Sequence, residues 1–169
     1  MNQPVDNGPT ISFDEFGPLE IRPQPGRSWG RKATRQRATY NRKHGVRHWL
    51  AFYDVHANQL WGYVRERKRG RDILGVLKLL RKRYPAEQRI HLILDNLSAH
   101  GTPDVRRWCR ANNIHFVWTP TNASWLNPIE CHFTHVKEFV IRNSDYVDHD
   151  ELTTALRRYA HYRNPKKKR

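Results

Sequence analysis

Apolar and polar positions along this chain alternate between a period of two and a period near 3.6, the spacings of strands and helices. Residues 10–13 (TISF) alternate and predict a short strand ending at the acids Asp14 and Glu15. Residues 46–55 (VRHWLAFYDV) and 59–64 (QLWGYV) are rich in aromatic and β-branched types, and the polar break His56-Ala57-Asn58 makes them a hairpin. Ile73, Leu74, Leu77 and Leu80, with Val76 beside them, form an apolar stripe that predicts a helix over 71–84, stopped by Pro85. Residues 89–94 (RIHLIL) are almost continuously apolar, as in a strand covered on both faces, and Asp95 stands where that run stops. Thr102-Pro103-Asp104 reads as a helix start, carrying on to about Asn112, and 114–118 (IHFVW) is another strand. A helix begins at Asn127-Pro128-Ile129-Glu130 with Ile129, Phe133, Val136 and Val140 inward, and a last one covers 149–162 through Leu152, Leu156 and Tyr159.

This order constrains the architecture. Hairpin-linked strands run antiparallel, whereas helix-linked strands run parallel through right-handed crossovers. Three antiparallel strands followed by two parallel ones, flanked by helices, give an α/β mixed sheet. With 169 residues the chain has the length of one domain. Residues 10–162 are expected to form it, with 1–9 as a flexible leader and 163–169 as a basic disordered tail. Residues 17–45, rich in Pro, Gly, Arg and Lys around Trp29, read as a long basic loop suited either to DNA backbone or to solvent.

Charge narrows the class of partner. Lys and Arg number 31 against 16 Asp and Glu, a formal net charge of +15 with pI near 10.4. That imbalance favours a polyanion, because each neutralised phosphate releases condensed counter-ions. No apolar run approaches the roughly 20 residues of a membrane span, and the N-terminus lacks the pattern of a signal peptide. Two cysteines, Cys109 and Cys131, are too few for a disulfide scaffold and fit a reducing cytoplasmic setting. Cys131, His132 and His135 with Cys109 lack the paired spacing of a zinc site, so a helix flank is the better reading.

Several carboxylates compete for chemistry. Asp95 ends a central strand, where open α/β sheets place their ligands, although an Asp capping the next loop would occupy the same place. Glu130 lies three residues after Asn127, the spacing of a capping box, yet a helix start here can also aim it at the sheet edge. Asp14 and Glu15 follow the first strand, and alternation does not choose between them. Asp54 beside a hairpin turn and Asp72 at a helix start are rivals with structural alternatives.

The segments ISFDEFG, LILDNLSAH and WLNPIE resemble the three signature blocks of the mariner-like transposases, in particular their bacterial insertion-sequence branch. Asp95 and Glu130 have 34 residues between them, a spacing that family uses, and Trp29 within GRSWGRK resembles its Trp-containing stretch. The resemblance covers roughly 10–162. It implies a ribonuclease H-like fold and a DDE endonuclease, with Asp14, Asp95 and Glu130 as catalytic acids and metal ligands. Asn96 and His100 match the block after the second acid, with a contact to DNA phosphate, a contact to the acids or a structural hydrogen bond all open. Trp29, Arg31, Lys32, Arg35 and Arg37 are candidate DNA contacts. Family members normally carry N-terminal helix-turn-helix domains that recognise element ends, and nothing before Thr10 is long enough to form one, so the chain reads as a catalytic half. The implied partners are double-stranded DNA, as transposon end and target, and a second copy in a homodimer; the implied location is the cytoplasm, on the nucleoid if the source is bacterial.

Elementary chemistry leads to the same cofactor. Phosphodiester hydrolysis needs an activated nucleophile, charge neutralisation and a stabilised leaving oxygen, which two metal ions about 4 Å apart supply. Hard Mg²⁺ or Mn²⁺ takes oxygen ligands, so two ions are expected with DNA bound, held by Asp14 and Asp95, the latter as bridge, with Glu130 completing the site. Two other functions remain: another nuclease of the same fold, and a non-catalytic DNA-binding remnant.

Overall fold

The computed structural model describes residues 8–24, 44–121 and 123–164. Its elements are β1 (Thr10–Glu20), β2 (Val46–Asp54), β3 (Gln59–Arg65), α1 (Gly70–Arg81), β4 (Ile90–Leu94), α2 (Pro103–Ala111), β5 (Ile114–Trp118), α3 (Glu130–Val136) and α4 (His149–Arg163). A 3₁₀ turn, Ser124–Leu126, precedes α3, and a π-helical turn, Lys137–Ile141, continues it. The sheet has five strands in the order β3-β2-β1-β4-β5. β1–β2 and β2–β3 are antiparallel, while β1–β4 and β4–β5 are parallel, as the element order requires.

Each face of the sheet has its own core. Ile11, Phe13, Leu50, Phe52, Ile90, Leu92 and Leu94 pack against Ile73, Val76, Leu77 and Leu80 of α1 and Val105 and Cys109 of α2. On the other face Leu19, Trp49, Ala51 and Leu60 meet Ile129, Phe133, Val136 and Val140, together with Leu152 and Leu156 of α4. β1 is the central strand and β4 lies between it and β5; Ile90, Leu92 and Leu94 are buried on the α1/α2 face while His91 and Ile93 are only half-buried, so β4 is not covered on both faces as its apolar run suggests.

The structure corrects several boundaries. β1 does not stop near Phe13: it runs to Glu20, pairing through Leu19 and Glu20 with Arg47 and Val46 after an irregularity between Phe16 and Leu19. The expected loop at 17–45 therefore starts only after Glu20, and its residues 25–43 lie outside the described residues. α1 ends at Arg81 rather than Tyr84, because the Arg81 guanidinium turns back onto the carbonyls of Pro85, Gln88 and Asn112. Thr102 stands at the N-cap of α2 without a side-chain cap bond. Asp148, which the apolar pattern does not mark, caps α4 by accepting from the amides of Asp150 and Glu151.

The rival acids take structural posts. Asp54 accepts the His56 and Ala57 amides in the β2–β3 turn and the Tyr84 hydroxyl. Asp72 accepts the Arg69 amide at the start of α1. The cysteines and histidines set aside as a zinc site lie apart: Cys109 is buried on the α1/α2 face, while His132 packs on Tyr53 on the opposite one. Among the described residues no helix is long and apolar enough to cross a membrane.

Candidate active site

The register of the parallel pair β1–β4 places the first two acids together. Ser12 lies opposite Ile93, and continuing that register by two residues brings Asp14 level with Asp95 at the carboxyl end of β4. Strand alternation also decides which of the first two acids faces which way. Ile11 and Phe13 belong to the α1/α2 core, so Glu15 follows them to that side, and Asp14 follows Ser12 to the α3 side.

Glu130 is brought to Asp14 by a buried polar clamp. The Ser12 hydroxyl donates a short hydrogen bond to the Asn127 side-chain carbonyl and accepts the Ile129 amide at 3.0 Å. The Asn127 amide group donates to the Phe13 carbonyl at 2.9 Å and to Asp14 Oδ2 at 3.3 Å. Asn127 is therefore not the N-cap of α3 and forms no capping box with Glu130; Ile129 holds that position, and the Asn127 side chain is spent on β1. Glu130 opens the helix, and among the described residues its carboxylate accepts no hydrogen bond.

Electrostatics link these acids. Burial pushes the Asp14 carboxyl up to about 7, against the bond from the Glu15 amide, and the charges of Glu130, Glu15 and Asp95 add to the rise. Asp95 is held below its ordinary value, chiefly by its bond from His100, with the Leu97 amide and the charges of His100 and Lys68 helping. Asn96 takes the structural option: its amide donates to the Thr119 carbonyl at 2.7 Å, joining the ends of β4 and β5.

His100 is fully buried, with Nδ1 2.9 Å from Asp95 Oδ1 and Nε2 against Glu15 Oε1. Burial alone would lower its pKa, but the bonds to Asp95 and Glu15 lift it to about 10, so the ring is an imidazolium. Lys68 adds a second positive charge, 3.6 Å from Glu15 Oε2. Sequence reasoning passed over Ser12, Asn127 as a clamp, and Lys68. Ser12 did carry a signal, since it shares the face of Asp14 two residues on.

The donor set suits a hard divalent ion. Among the described residues no three His, Cys, Asp or Glu side chains already stand at the spacing of a metal cage. Like charges repel at this range, so a spread arrangement is expected of the carboxylates by themselves. The raised Asp14 supports the fit, because among the described residues its charged form has no ion pair with a positive group, and a cation would supply one. Trp29, Arg31, Lys32, Arg35 and Arg37 lie outside the described residues.

Solved structures share this architecture. The Mos1 transposase paired-end complex with left transposon end has a TM-score of 0.67 at 15% identity, over 90% of this chain and 47% of that one. The mariner Mos1 paired end complex with Mn gives 0.68 at 15%, over 90% and 48%, and the Mos1 Strand Transfer Complex 0.67 at 13%, over 93% and 48%. The fold is thus ribonuclease H-like, and the chain spans about half the length of the structures it matches. No curated protein sequence matches it. The model of the DDE superfamily endonuclease matches residues 9–153, and the chain belongs to that family.

Proposed function

We propose that this chain is the catalytic domain of a DNA transposase, performing metal-dependent phosphodiester hydrolysis and strand transfer at transposon ends. The observation that carries the reading is a buried Asp14 raised by the charges of Glu130 and Asp95 and, among the described residues, without an ion pair to a positive group. Asp14 and Asp95 would hold two Mg²⁺ or Mn²⁺ ions, with Glu130 completing the set. Bound there, the ions supply an activated nucleophile and a stabilised leaving oxygen. The Ser12–Asn127 clamp keeps Glu130 beside β1, and His100 holds one oxygen of Asp95. The formal charge of +15 suits double-stranded DNA, as transposon end and target. The Mos1 structures are paired-end and strand-transfer complexes, which supports action on paired DNA ends; a second copy of the chain and a helix-turn-helix domain for end recognition complete the reading.

Nicking of supercoiled plasmid in Mg²⁺ or Mn²⁺ tests the reading, comparing wild type with Asp95→Asn and Glu130→Gln. Activity in the wild type and none in the variants supports it. Equal nicking by all three removes the site. No nicking by any, with DNA affinity indifferent to metal, marks a binding remnant. Cleavage without joining of a pre-cut 3′ end to target DNA indicates a nuclease of the same fold.

A further inference from the structure

Glu15 is a conspicuous acid with no part in the proposed triad. Its side chain is 5% exposed and faces the α1/α2 core, where an unpaired carboxylate would be costly. It meets His100 Nε2 with one oxygen and Lys68 Nζ with the other. The His100 ring is fully buried and packs edge-on against Phe13, with centroids 5.3 Å apart. Its remaining nitrogen, Nδ1, donates to Asp95 Oδ1 at 2.9 Å and lies 3.1 Å from the Asp95 carbonyl oxygen. The Leu97 amide also donates to Oδ1, at 3.2 Å. Hydrogen bonds thus converge on one oxygen of Asp95, and among the described residues none reaches Oδ2.

We propose that Glu15 is a positioning residue for the metal site: through the buried ring of His100 it fixes the rotamer of Asp95, occupying Oδ1 and leaving Oδ2 for a cation. This rests on the reading of Asp95 as a metal ligand. The physical reason is geometric. Asp95 stands just past the end of β4, where no ladder bond holds its backbone beyond Leu94. A carboxylate there would sample several rotamers, and ordering it only on metal binding would cost affinity. The ring is held from both sides, by Phe13 and by Glu15, so it can order Asp95 in advance. The two acids of the DEF segment then share one task from opposite faces of the sheet: Asp14 offers oxygens directly, and Glu15 orders the oxygens of Asp95.

The test is Mn²⁺ affinity of the 169-residue chain, followed by loss of the free-ion electron paramagnetic resonance signal, with thermal melts alongside. Glu15→Met keeps the volume but removes the acceptor; Glu15→Gln loses the same charge yet keeps an oxygen for His100. Removing a group that orients a metal ligand costs about 10- to 100-fold in affinity. The expected result is about tenfold weaker binding in Glu15→Met, with most of it restored in Glu15→Gln. Equal weakening in both means that only the charge of Glu15 matters, and unchanged affinity in both means that it does nothing; either overturns the proposal. Lys68→Met, which leaves the core intact, covers the case that Glu15→Met does not fold. Losing a positive charge beside Asp95 would tighten Mn²⁺ binding on electrostatic grounds alone, whereas losing a brace on Glu15 weakens it about twofold. Tightening overturns the proposal. If wild type binds no Mn²⁺ that Asp95→Asn abolishes, the metal-site reading itself fails; if Asp95→Asn abolishes binding and the Glu15 variants do not alter it, only the role of Glu15 fails.

Discussion

Two adjacent carboxylates on β1 show how differently the faces of this sheet are built. Glu15 enters the α1/α2 core and is matched at once, by a buried imidazolium and a lysine. Asp14 enters the α3 side and receives an amide hydrogen bond, a side-chain amide and further negative charge. One face satisfies its charge internally. The other gives its buried charge no ion pair among the described residues, the condition expected of a group waiting for an external cation. A buried acid alone is therefore a poor marker of function; a buried acid without compensation is a better one.

The largest test of that contrast is chemical. Asp14→Asn, Asp95→Asn and Glu130→Gln should each lower metal-dependent plasmid nicking at least about 10³-fold, or about 4 kcal/mol of barrier. Glu15→Gln should retain most of the activity. Parity between Asp14→Asn and Glu15→Gln would erase the distinction between the two faces.

Next in size is the clamp. Asn127→Ala strands the Ser12 hydroxyl and the Phe13 carbonyl, both in the core, and should cost about 2 kcal/mol of stability. In a protein of this size that lowers Tm by about 4–8 °C. Nicking should fall at least about tenfold, since Asn127 is the side chain that joins the start of α3 to both Ser12 and Asp14. A stable variant with wild-type nicking would show that α3 positions Glu130 by apolar packing alone.

Stability without metal should separate the twin acids by sign. The Asp14 carboxyl is raised from 3.8 to about 7, so the folded state holds a proton that the unfolded state releases between those values. Its charge is therefore a burden above about pH 7, which fades as pH falls and is gone below the unfolded value. Asp14→Asn should raise Tm at pH 8 by about 4 °C, or about 1–2 kcal/mol, and match wild type near pH 4. Glu15→Gln should lower Tm at pH 8, because it weakens a matched buried pair. Shifts of the same sign, read by differential scanning fluorimetry, would contradict the charge accounting.

The smallest effect lies away from the acids. Burial, helped by the charges of Arg163 and His135, holds His132 down at about 4 from 6.5. The unfolded state takes up a proton below about 6.5 that the folded state refuses until about 4, so this contribution is lost as pH falls through that window. Between pH 7 and 5 wild type should lose about 1 kcal/mol more than His132→Gln in urea titrations. Equal losses would show that His132 is hydrated rather than enclosed by Tyr53 and Arg163.

Local pattern by itself determined a good deal here. Periodicity marked the five strands and four helices in order, and the placing of hairpins against helices set which strand pairs are parallel, because connection length restricts strand direction. The motif blocks singled out Asp14, Asp95 and Glu130, and in the fold the charges of the last two reach Asp14. Boundaries were less legible: the second half of β1 is held by pairing with Arg47 and Val46, a partnership invisible within residues 17–20. Asn127 misled for a related reason, since capping-box spacing is local and cannot see Ser12, 115 positions away in sequence, competing for the same side chain. Only the tertiary structure decided between Asp14 and Glu15. Alternation says that neighbours on a strand face opposite ways, but which way leads to α3 and which to His100 depends on where distant helices pack.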